Sequence, residues 1–223
     1  MARIYNNGVG VKTRFHVSIF LGRGTSAPRQ TMEPISKASH HAFDTVEQLH
    51  AWLRLNHASE SELWVRIFKK ATGKPSVTWD DCVVAAIAWG WIDGLRNALD
   101  DASFLQRLTP RRARSNWSQK NVQNIERLIE QGPMQAAGMA QVEAARINGR
   151  WASAYAGSAA MVVPADFMEA LQSDPAAQAF YATLKRQDLF AIYYRLHTAK
   201  RPQTRQKRMA ELLAQLARDE CPW

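Results

Sequence analysis

Between Thr78 and Gly90 the chain reads Trp-Asp-Asp-Cys-Val-Val-Ala-Ala-Ile-Ala-Trp. Past the two acids, about two helical turns carry no polar side chain, and a helix that is apolar all round can only be buried. Thr78 and Asp81 stand at capping-box spacing: the hydroxyl accepts from an early backbone N–H, and the acids complement the positive end of the helix. The fold must therefore enclose this segment. A chain of 223 residues can do so with one sizeable core, or with two small ones sharing an interface. With 46% hydrophobic and 22% charged residues, collagen-like, mucin-like and wholly disordered classes are excluded. No run of about 18 apolar residues is present, so no membrane span is expected.

Around that helix the periodicities alternate. Asp44-Thr45 precede Val46, Leu49, Trp52 and Leu53 at helical spacing. Leu63, Val65 and Ile67 then alternate with Trp64, Arg66 and Phe68, which predicts a strand with two usable faces running into Lys69-Lys70, with a turn at Gly73-Lys74-Pro75. Gly90 and Gly94 bracket a second strand, Trp91-Ile92-Asp93. Phe104–Leu108 is a third, and Asn97–Ser103 is the polar connection between them. Beyond Pro110 the pattern is helical. Ser118 caps a helix with Val122, Ile125, Leu128 and Ile129 on one face, stopped by Gly132-Pro133, and another helix spans Gln135–Asn148 with Gly149 after it. Four helical segments follow a stretch rich in alanine, serine and glycine, over about 165–172, 175–186, 188–199 and 203–218.

The net charge of +9 is unevenly spread: Arg3, Lys12, Arg14, Arg23 and Arg29, with no acid, give residues 1–31 a charge of +5. Glycines, prolines and the lack of periodicity predict that residues 1–36 form a disordered basic tail or a start-site extension ahead of Met32, with a short strand at Phe15–Leu21. A basic presequence is the alternative. Two isolated cysteines, Cys82 and Cys221, suit a reducing compartment, so the expected location is cytoplasmic.

Signatures of standard catalysis are missing: no G-x-S-x-G, P-loop, G-x-G-x-x-G after a strand, or H-E-x-x-H. The six histidines are scattered: His40-His41 and His50/His57 lack carboxylate or cysteine partners at ligand spacing, and His197 reads as a helix-surface or capping residue. Neither a metal nor a cofactor is therefore expected, and catalytic residues are unknown. Two stretches carry the functional hints. In Trp89-Gly90-Trp91-Ile92-Asp93-Gly94, the tryptophans pack the core and Asp93 is a turn residue, or else Asp93 is a pocket carboxylate that pairs a cation. In Thr109-Pro110-Arg111-Arg112-Ala113-Arg114-Ser115-Asn116-Trp117-Ser118, arginines precede a helix N-terminus, where they oppose the dipole unless an acid or a bound anion is present. The expected site is an anion pocket of Arg111, Arg112 and Ser115, lined by Trp91 and Asp93, with Trp117, Ser118 and Asn121 beside it. The alternative is that an arginine pairs Asp93 and Trp117 is core. A further basic cluster includes Lys200, Arg205 and Arg208. It is either a phosphate-contacting face or a solvated one opposite Met209, Leu212, Leu213 and Leu216.

Taken in order, Glu62-Leu63-Trp64-Val65, Lys69-Lys70, Trp79-Asp80-Asp81, Gly90–Gly94, Thr109–Arg112, Ser115-x-Trp117-Ser118-x-x-Asn121, Gly149-Arg150-Trp151, Val163-Pro164 and Ala199-Lys200 with Thr204-Arg205 and Arg208 resemble the YdeI/OmpD-associated (OmdA) family, labelled bacteriocin-protection. The resemblance spans about residues 40–220, departing at Trp89, where the family pattern has Phe. It implies a part in tolerance of bacteriocins or antimicrobial peptides, through association with an outer-membrane porin, and no established reaction. With the arginine cluster added, the expected partner is an anionic ligand or an envelope-related protein.

The reading is an α+β protein: a small N-terminal α/β unit with a short sheet over 37–151, a linker at 152–163, and a mostly helical C-terminal unit over 164–223. It acts by binding rather than catalysis. The alternatives are nucleic-acid binding through Arg111–Lys120 and Lys200–Arg208, and an enzyme using Asp93 as acid or base.

Overall fold

The computed structural model describes residues 40–223; the expected tail and the Phe15–Leu21 strand lie outside them. The architecture is α+β, with a four-stranded sheet in the N-terminal part and most of the helices after it. Strands β1 (His40–Ala42), β2 (Leu63–Phe68), β3 (Trp91–Ala98) and β4 (Ser103–Pro110) lie in the order β1-β2-β4-β3. β1 runs parallel to β2, and the other pairs are antiparallel, with Leu63 opposite Leu108 and Ile67 opposite Phe104. Strand β1 was not expected, because three residues are too few to show an alternation. Nor does β3 stop at Asp93. It continues through Gly94 to Ala98, past a bulge between Asp93 and Arg96, which shortens the predicted 97–103 connection to residues 99–102. The buried Gln106 side chain explains the continuation: its amide donates to the carbonyls of Gly94 and Leu95, groups that the irregular ladder leaves over.

Helix α1 (Val46–Asn56) is capped by Thr45, whose hydroxyl accepts from the Gln48 N–H, and it buries Leu49 and Leu53. Helix α2 (Trp79–Ala88) starts with the anticipated capping box: Asp81 N–H donates to Thr78 Oγ1 at 3.2 Å, and Thr78 N–H donates to Asp81 Oδ2 at 2.8 Å. α2 packs against α1, β3, β4, α3 (Gln119–Gln131) and α4 (Ala136–Ile147), which is how an all-apolar helix is enclosed. The approach of α4 is close. A Cβ on Gly138 would stand 2.3 Å from the Ala88 carbonyl oxygen, and one on Gly90 (φ 77°) would stand 2.7 Å from that of Ala137.

A second apolar cluster joins α5 (Ala165–Leu171), α6 (Pro175–Tyr181), α7 (Arg186–His197) and α8 (Pro202–Leu216) through Phe167, Ala177, Ile192, Leu196, Leu212 and Leu216. The 152–163 stretch, expected to be a linker, runs against both clusters. Tyr155 exchanges backbone hydrogen bonds with Trp117 and Gln119 at 2.9 and 2.8 Å, and the Ala156 N–H donates to the Tyr193 hydroxyl at 2.7 Å. Among the described residues, no helix is long and apolar enough to cross a membrane.

Candidate functional site

The arginines after β4 separate as soon as they are folded. Arg111 is only 5% exposed: its guanidinium lies 3.6 Å over the Trp117 ring and donates to the Asn116 carbonyl at 3.0 Å, and its own N–H donates to Gly90 O. Burial pushes Arg111 down to about 10, with the nearby Tyr155 and Asp93 acting the other way. Its Nη2 and the Trp117 Nε1 are buried without partners. Arg112 is exposed, and the Ser115 carbonyl accepts from Arg150 Nη1 at 2.9 Å. Trp91, 1% exposed, donates its indole N–H to the His57 carbonyl and meets the Trp52 ring edge-on, so it belongs to the core. These five residues do not converge on one pocket.

Two cavities take up the rest. The first, about 310 Å³, is lined by Asp93, Ser118 and Asn121 with Trp79, Lys120 and Tyr155. Ser118 Oγ caps α3 by accepting from the Asn121 N–H at 3.1 Å. Burial raises Asp93 above the ordinary carboxylate range, with a hydrogen bond from the Trp79 side chain and the charge of Arg111 as partial offsets. Tyr155 is likewise pushed up by burial and stands edge-on to Tyr194, with ring centres 4.9 Å apart.

The second cavity, about 460 Å³, is lined by Arg114, Asn116, Asn148, Arg150, Thr198 and Lys200, with three cations and no carboxylate. Arg150 is 7% exposed and fixed in place: Nε donates to Asn148 Oδ1 at 2.8 Å, in addition to the bond to Ser115. Lys200 Nζ donates to Ser153 Oγ at 3.2 Å. Of the expected C-terminal cluster, only Lys200 reaches this cleft. Arg205 pairs with Asp166, and Arg208 Nη1 donates to the Arg195 carbonyl and Thr198 Oγ1. Arg114 is expected from the sequence only as part of the Arg111–Lys120 basic stretch, and Arg150 is not among the expected site residues. Arg150, in the turn after α4, stands out in the sequence only as part of the Gly149-Arg150-Trp151 motif of the resemblance, and nothing local to it indicates a cleft.

His50, expected to lack a partner, has one of another kind: Trp89 Nε1 donates to its Nδ1 at 3.0 Å, and burial lowers its pKa.

Residues 41–141 match a family model described as a domain of unknown function, DUF8412, and residues 160–219 match the model described as bacteriocin-protection, YdeI or OmpD-associated, OmdA. The motifs between Glu62 and Asn121 thus fall under the first model, and the second covers a shorter span than the resemblance did. No curated protein and no solved structure matches the chain. The likeness to the bacteriocin-protection, YdeI or OmpD-associated family is therefore a likeness of residues 160–219.

Proposed function

We propose that this protein acts by binding an anionic ligand in the cleft of Arg114, Arg150 and Lys200, and that it contributes from the cytoplasm to tolerance of bacteriocins or antimicrobial peptides. The observation that carries the reading is a cleft with three cations and no acid on its walls. One of those cations is buried and oriented by two hydrogen bonds, so little side-chain entropy is lost when an anion arrives. The tolerance role rests on the family match alone.

Nucleic-acid binding is the second reading, favoured by one fact: the cleft takes a residue from each basic stretch, Arg114 and Lys200. A single experiment addresses both. Labelled single- and double-stranded DNA and RNA are titrated with the full chain at about 50 and about 200 mM salt, with inorganic pyrophosphate as competitor. An anion site predicts binding that pyrophosphate displaces and that Arg114→Ala/Lys200→Ala weakens at least about ten-fold, each lost charge-assisted contact being worth about 1.5–3 kcal/mol. Affinity for duplex falling with a log–log slope of about −0.9 per phosphate would favour nucleic acid. Binding unchanged in the double variant would belong to the basic N-terminal residues and would sink the proposal. The tolerance role is checked by survival of a bacteriocin-sensitive strain expressing the wild type or the double variant; equal survival counts against it.

A further inference from the structure

The cavity around Asp93 has a character opposite to that of the basic cleft. Its charged walls are Asp80 and Asp93 against Lys120, in a protein whose net charge is +9. Asp93 sits half-buried in β3 and has no ion pair among the described residues. The nearest buried cation is committed elsewhere: Arg111 lies flat on Trp117 and donates to the Asn116 carbonyl. The Trp79 side chain donates a hydrogen bond to the Asp93 carboxylate and the charge of Arg111 offsets part of its burial, but neither is an ion pair, and burial still raises its pKa. Beside it stand two aromatic side chains, Tyr155 and Trp79, the latter 45% exposed although it is the largest side chain on its helix. An apolar floor is supplied by Val83 and Ile92.

A carboxylate beside aromatic side chains matches an organic cation, through a charge-assisted hydrogen bond to the carboxylate and contact of the cation's apolar part with the rings. The volume, about 310 Å³, is at the lower end of ligand cavities and suits a single side chain or a small amine. We propose that this cavity is a receptor for an organic cation, a guanidinium or alkylammonium group, which Asp93 pairs while Trp79 and Tyr155 flank it. The site is separate from the basic cleft and does not depend on what occupies that cleft.

Calorimetric titration of the full chain with N-acetyl-arginine amide, N-acetyl-lysine amide and the uncharged isostere N-acetyl-citrulline amide tests it. At least one basic probe binds and citrulline does not; which basic probe binds tells guanidinium from ammonium. Asp93→Asn loses at least about ten-fold in affinity, as a charged pairing worth about 1.5–3 kcal/mol requires. Lys120→Ala, at an exposed position on the rim, acts in the opposite sense and strengthens binding, an outcome that needs no change in the core. Excess pyrophosphate leaves the titration unchanged, which separates this result from any failure at the basic cleft. The titratable and charged groups around Asp93 are Asp80 and Cys82 from α2, Lys120 from α3, Arg111 and Tyr155. Because the ionised form binds and its pKa is raised, affinity falls with decreasing pH, and it begins to fall at a higher pH than for an ordinary aspartate. Equal binding of citrulline, no binding of either basic probe, unchanged affinity in Asp93→Asn, or weaker binding in Lys120→Ala would overturn the proposal.

Discussion

Arg111 is unusual in the fold as it is in the sequence, and its contacts give it structural work. An arginine opposing a helix dipole needs a compensating anion or acid; here it finds the face of Trp117 and a carbonyl. Truncation would empty the space above Trp117 and leave the Asn116 carbonyl short of a donor. Arg111→Ala is therefore expected to cost about 2–4 kcal/mol of unfolding free energy, measured by urea denaturation of the unliganded protein. Arg111→Lys recovers the charge but not the planar stack, and falls between the two. A negligible loss in both variants would mean that the guanidinium is spare and free to bind. Asp93 shows the other side of residue-scale reading: its alternatives, turn residue or pocket carboxylate, could not be separated before the bulge and the cavity wall were known. Arg114 and Lys200 lie in different basic stretches, and no local pattern announces that they will face each other.

Elements were more legible where the signal is local. Thr78 with Asp81, Ser118, Gly132 and Gly149 each satisfy or end a helix through neighbours within four residues, so those boundaries can be placed closely from sequence. Strand ends depend on partners elsewhere: β1 exists because β2 offers it an edge, and β3 is prolonged by a glutamine on β4. Resemblance indicated the family of the helical part but extended it over a segment that a different family model claims. The contact between α2 and α4 gives a prediction with a sign that propensity alone would get wrong. Alanine is favoured over glycine inside a helix by about 1 kcal/mol. At Gly138, however, the new methyl would meet the C-terminal end of α2, with the backbone oxygen of Ile87 at 2.8 Å and that of Ala88 at 2.3 Å, and backbone cannot rotate away. Gly138→Ala should lower stability by about 1–3 kcal/mol net, seen as a fall in the urea midpoint at constant slope.

Among the described residues there are two apolar clusters, with the 152–163 stretch between them in sequence. All tryptophans except Trp223 lie before that stretch, whereas the α-helices are shared between the two sides of it, so tryptophan fluorescence reports on the first part and far-UV circular dichroism on both. In the wild type, tryptophan fluorescence and far-UV circular dichroism should follow one urea transition. Tyr155→Ala removes the ring that meets both Phe190 and Tyr194, and should pull the two curves apart, with the share of the helical signal that comes from α5–α8 lost before the fluorescence change. Coincident curves in the variant would place the coupling elsewhere. The β3 bulge has a different kind of consequence. Gly94 and Leu95 together stand opposite Arg107 there, so the side-chain phase before Asp93 and the phase after Arg96 are set independently. The hairpin tip, with Arg96 over Phe104, can therefore lengthen, shorten or change face over evolutionary time while the strand segment that holds Asp93 keeps its aim.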